Sequence, residues 1–127
     1  MGVMRFIKAY FRRLGEVVRG QNPTEPNVSA NSRGIKIGET EISWSSVKRL
    51  VAYKQDTFVG DEVCILIAVS DGDLHQVTER SYGWQEVVKE IEINLQTSLP
   101  EPEWKLRVMA AGIGSGIQIF PKTPESS

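Results

Sequence analysis

Val63-Cys64-Ile65-Leu66-Ile67-Ala68-Val69 is an unbroken apolar run. Neither of its faces is polar, so a chain that folds around it must cover both. The length suits a strand, which needs about 4–8 residues, and falls short of a buried helix of about 10 or more. Ser70-Asp71-Gly72-Asp73 follows at once with a strong turn signal. The run therefore reads as a central, doubly covered strand.

The flanking sequence builds a sheet around this strand. Leu74 to Arg80 reads as the strand that returns after the turn, and Val47 to Lys54 as a preceding strand that ends in a charged loop. Further upstream, Gly34-Ile35-Lys36-Ile37-Gly38 and Thr40-Glu41-Ile42-Ser43-Trp44 alternate around Gly38-Glu39, the spacing of a hairpin. Ser45 and Ser46 suit a single turn before Val47. Downstream, Ser81 is a candidate cap for the clearest helix in the chain, roughly 82–98. Its stripe is Trp84, Val87, Val88, Ile91, Leu95 and Leu99, and Pro100 and Pro102 are expected to end it. Trp104 to Ala111 suits a short helix, because Trp104, Val108 and Ala111 fall on one side. Ile117-Gln118-Ile119-Phe120 is a last strand. The expected fold is α+β: an antiparallel sheet of about five to six strands packed against one long helix, with an N-terminal amphipathic helix.

That N-terminal helix covers residues 1–20. Val3, Ile7, Tyr10, Leu14 and Val17 recur at steps of three and four, while Arg5, Lys8, Arg12, Arg13 and Arg19 occupy other positions. Gly20 and Pro23 supply its stop. Three roles compete for it: packing on the body, lying on a membrane surface, or self-association. The basic residues interrupt every apolar run, so the segment has no signal-peptide core. Residues 21–33 read as a linker, 34–120 as the body and 121–127 as a tail.

The 127-residue chain favours one domain, and its 40% hydrophobic and 24% charged content is that of a folded globular protein. The net charge of −1 is unevenly spread. Residues 1–20 carry +4 and the rest −5, a basic segment on an acidic body rather than a uniformly basic nucleic-acid binder. A single cysteine and a single histidine exclude a disulfide framework, a multi-cysteine zinc site and a two-histidine metal motif. They leave few routes to Ser-His or Cys-His catalysis. No apolar run approaches the ~20 residues that span a bilayer. The cysteine usage is compatible with the cytoplasm, with a membrane-peripheral location as the alternative.

Several local motifs have plainer readings. Gly112-Ile113-Gly114-Ser115-Gly116 precedes a strand instead of opening a helix, so it lacks the context of a phosphate loop. Asp71-Gly72-Asp73 lacks the further ligands of a calcium loop and reads as a turn. Cys64 reads as a small buried hydrophobe, and His75 as a lone strand histidine. No cofactor or metal is implied. The most distinctive stretch is Tyr53-Lys54-Gln55-Asp56-Thr57-Phe58-Val59-Gly60-Asp61. Opposed strand ends would bring Lys54 to Asp61 as an ion pair, Asp56 could accept turn amides, Phe58 could pin the loop, and Glu79 could join from the neighbouring strand. This cluster is either a surface ion-pair network or a recognition site.

The residues in and around this stretch resemble a group of small, mostly bacterial, uncharacterised proteins. Their pattern is matched by Ile42-Ser43-Trp44, by Ala52-Tyr53-Lys54-Gln55-Asp56 with Phe58, Asp61 and Cys64, by Val77-Thr78-Glu79, and by Gly83-Trp84 and Trp104. The resemblance spans roughly 34–120; the basic helix and the glycines at 112–116 have no counterpart in it. It implies no activity, but some relatives look like immunity or toxin-associated proteins. The arrangement is also similar to small pleckstrin-homology-like domains, except that a strand follows the helix.

The function expected is a non-catalytic protein-binding module, of immunity type, that takes a protein partner such as a basic toxin through Lys54, Asp56, Asp61 and Glu79. The alternative is a peripheral membrane or scaffold adaptor that uses Arg5, Lys8, Arg12 and Arg13. A small enzyme built on Lys54 would need a lysine of depressed pKa or a deep pocket beside it.

Overall fold

The computed structural model describes residues 27–57, 60–97, 100–112 and 115–121. Seven strands and two helices follow in order: β1 (Val28–Ala30), β2 (Gly34–Ile37), β3 (Thr40–Ser43), β4 (Val47–Thr57), β5 (Gly60–Val69), β6 (Leu74–Thr78), α1 (Trp84–Asn94), α2 (Glu101–Ala110) and β7 (Gly116–Phe120). The class is α+β, as the periodicities indicate, but the strands form two antiparallel sheets. One has the order β1-β2-β3 and the other β6-β5-β4-β7.

The break between the sheets is local. The hairpin β2–β3 turns at Gly38, where φ is 59°. The chain then takes one 3-10 turn over Trp44–Ser46, and the Trp44 indole donates to the Asn31 carbonyl at 2.7 Å. That turn moves the chain out of the first sheet before β4 begins. The strand β1 lies inside the span expected as a linker. Val28 and Ala30 bury their side chains in the core, so the body starts earlier than the sequence suggests.

Strands β5 and β4 are the two inner strands of the four-stranded sheet, with β6 and β7 at its edges. Direct cross-strand partners share a face. Leu50, Ala52, Val63, Ile65, Ile67 and Val77 therefore form one face, here called the front. The buried residues of β1–β3, α1, α2 and β7 all join the same cluster with it.

The single long helix is the main correction. The helix α1 stops at Asn94, whose side-chain amide donates back to the Glu90 carbonyl at 2.8 Å. Leu95 is already extended, though it still packs on the core. Pro100 and Pro102 do not end α1 but open α2, where a missing N–H costs nothing. Ser81 is not the helix cap. Gly83 is, with φ of 100° and with its α-carbon pressed so close to the Val28 carbonyl that no side chain fits. The expected N-terminal helix lies outside the described residues. No helix among the described residues is long and apolar enough to cross a membrane.

Candidate binding site

The charged stretch after Lys54 is ladder, not loop. Gln55 pairs with Glu62, Asp56 with Asp61, and Thr57 with Gly60, with only 58–59 between the strands. A tight hairpin lets backbone groups keep pairing after the apolar side chains run out. The polar residues therefore stand in two rows at the hairpin end, one on each face.

On the front, Lys54 lies opposite Val63. Its Nζ donates to the Met109 carbonyl at 3.0 Å and lies 3.7 Å from Asp61 Oδ2. The Met109 carbonyl belongs to the last turn of α2, where carbonyls lack intrahelical donors and a cation is favoured. Lys54 thus ties the helix end to the sheet. Glu79 lies just past the end of β6. Its amide donates to the Val63 carbonyl, and its Oε1 accepts the Val63 amide, both at 3.0 Å. The other oxygen, Oε2, lies 3.6 Å from Lys105 Nζ on α2. Lys54, Asp61 and Glu79 therefore surround α2 at one rim of the sheet, in line with the expected Lys54–Asp61 pair.

Asp56 is exposed directly across from Asp61. Among the described residues no cationic side chain pairs with it, and the turn amides at 58–59 expected to donate to it lie outside the described residues. Two carboxylates in direct register disfavour the pair when it stands alone. On α2, whose Met109 carbonyl holds Lys54, Leu106 and Met109 are 71% and 50% exposed, one turn apart. The rim thus combines carboxylates with apolar side chains. Phe58 and the basic Arg5, Lys8, Arg12 and Arg13 lie outside the described residues.

The back row was not foreseen. Gln76 Nε2 donates to the Tyr53 hydroxyl and, at 3.3 Å, to Gln55 Oε1. Gln55 Nε2 donates to Glu62 Oε1 at 3.0 Å, and Glu62 Oε2 lies 3.1 Å from Arg80 Nε. The Glu62 side chain is 2% exposed, whereas that of Arg80 is 45% exposed. A buried carboxylate is thereby held by one amide and one cation. The signal for it was the hairpin register: once Thr57 faces Gly60, Gln55 must face Glu62.

A hollow of 580 Å³ opens elsewhere, on the three-stranded sheet, bordered by Asn31, Arg33, Lys36, Glu41 and Ser43. Another of 140 Å³ lies by the β5–β6 turn, bordered by Asp71, Asp73 and His75. Neither borders Lys54. The turn itself is closed by Asp71 Oδ1 accepting the Asp73 amide at 2.9 Å, and Gly72 has φ of 95°. Among the described residues, no group of three His, Cys, Asp or Glu side chains is placed to hold a metal ion. Compared with protein families, with curated proteins and with solved structures, the chain matches none.

Proposed function

We propose that this protein is a non-catalytic protein-binding module, of the immunity type, that takes a basic protein partner at the rim formed by Asp56, Asp61 and Glu79. The observation that carries this reading is the Asp56–Asp61 register. The two carboxylates face each other, only Asp61 of the pair meets the Lys54 ammonium, and that ammonium is already engaged by the Met109 carbonyl. A cationic side chain from a partner would relieve the repulsion, and the exposed Leu106 and Met109 of α2 give the same partner apolar surface to cover. Lys54 serves as a strut that sets Asp61 and α2 in place. Its commitment to a helix terminus argues against use as a nucleophile.

The test replaces both carboxylates by amides of the same shape. Full-length chains with and without Asp56→Asn plus Asp61→Asn are used as bait in native-host lysate, and captured proteins are identified by mass spectrometry. The expected outcome is a basic protein held by the native chain and lost at least tenfold in the double variant. The thermal midpoint should stay within a few degrees, because exposed carboxylates contribute little to stability. Equal capture by both chains would refute this reading.

A further inference from the structure

The four-stranded sheet has a second face with an unexplained cover. Val51, Tyr53, Cys64 and Leu66 alternate with the front residues, so their side chains point to the back. All four are fully buried. Yet the buried residues of α1, α2 and β1–β3 join the front cluster, and none of these four belongs to it. Among the described residues, no element roofs the back face.

We propose that the back face of β6-β5-β4-β7 is a docking surface for this chain's own N-terminal segment, residues 3–19. The other stretches outside the description do not fit. Residues 58–59, 98–99 and 113–114 are pairs, and 122–127 holds no large apolar side chain. Residues 3–19 carry Val3, Ile7, Tyr10, Leu14 and Val17 as one helical stripe. From Val3 to Val17 such a helix is ~21 Å long. Four strands spaced ~4.8 Å apart present a surface some 14–19 Å wide, so one helix laid across them covers the Val51, Tyr53, Cys64 and Leu66 patch. Residues 20–27 then form a tether of up to ~25 Å, long enough to round the sheet edge to β1. Charge favours the same pairing: the segment carries +4 and the remainder −5. The stripe turns inward, and Arg5, Lys8, Arg12 and Arg13 stay outside.

Cys64, on this face and the sole cysteine, reports its own cover. Maleimide labelling of the folded full-length chain should be slow. Ile7→Asp plus Leu14→Asp, again in the full chain, should speed it at least tenfold while near-UV circular dichroism of the front-face tryptophans is kept. Labelling that stays slow in that variant, or protection in the native chain that fades on dilution as a second copy's would, overturns the proposal. If the double substitution abolishes the near-UV signal, a photo-cross-linking benzoylphenylalanine in place of Tyr10 decides. Cross-links to β4, β5 or β6 of the same chain support the proposal. Cross-links between chains, to anionic phosphatidylserine vesicles only, or to no part of the sheet overturn it.

Discussion

The two faces of the central sheet use the same strands and solve different problems. On the front, Leu50, Ala52, Val63, Ile65 and Ile67 join Trp84, Val87, Ile91, Trp104 and Val108 in one apolar cluster. The back starts apolar at Val51 and Leu66 and ends polar, in the chain Tyr53–Gln76–Gln55–Glu62–Arg80. The apolar front supplies most of the driving force, but it tolerates interchange among aliphatic side chains. The polar back supplies register. A slip of one residue between β4 and β5 would carry either Glu62 of β5 or Gln55 and Tyr53 of β4 into the front cluster, and in both cases the carboxylate would lose its Gln55 partner.

The contrast predicts different responses to truncation. Trp104, almost fully buried beneath α2, should give the largest loss. Trp104→Ala is expected to cost about 3–5 kcal/mol in denaturant titration. A loss under about 1 kcal/mol would mean that α2 contributes little to the front. On the back, Glu62→Ala should cost less, about 1–3 kcal/mol, because the Gln55 amide loses its acceptor while Arg80 can turn to water. Glu62→Gln keeps an acceptor for Gln55 and should recover part of the loss. If the two Glu62 variants are equally damaged, the charge towards Arg80 matters more than the hydrogen bond. If neither is damaged, the back row does not set the register.

The fold was readable wherever periodicity and turn chemistry agreed. Val63–Val69, the Gly38 hairpin, the turn at Ser45–Ser46 and the Trp84–Ile91 stripe all announce themselves locally. What was hidden depends on pairing partners. Val28-Ser29-Ala30 is too short to signal a strand, and it exists because β2 offers an edge and because the Tyr82 carbonyl accepts the Val28 amide at 2.9 Å. The prolines at 100 and 102 give the same signal whether they end one helix or open the next. At the rim, Lys54, Asp61 and Glu79 were legible as a group, but not the reason they gather. The Met109 carbonyl arrives from α2, 55 residues along the chain from Lys54, and the same helix brings Lys105 to Glu79. The back row was misread because polarity on both faces looks like a loop, although a hairpin ladder needs no apolar side chains.

The smallest expected effect concerns Lys54, which stands on the front face at the height where both faces turn polar. Lys54→Met keeps the aliphatic stem that packs beneath α2 and removes only the ammonium. The loss should be about 1 kcal/mol, the worth of one charge-assisted contact at a helix C-terminus. Hydrogen exchange gives the sharper readout. Opening of the last turn of α2 should speed exchange at the Ala110 and Ala111 amides, while the Ile65 and Leu66 amides in β5 stay as slow as before. Exchange that quickens equally at all four sites would make Lys54 part of the global core rather than a local strut. Unchanged exchange at Ala110 and Ala111 would show that the helix end is held by the return of the Ala111 amide to the Arg107 and Val108 carbonyls alone. Lys54 would then be free to meet a partner directly, alongside Asp56 and Asp61.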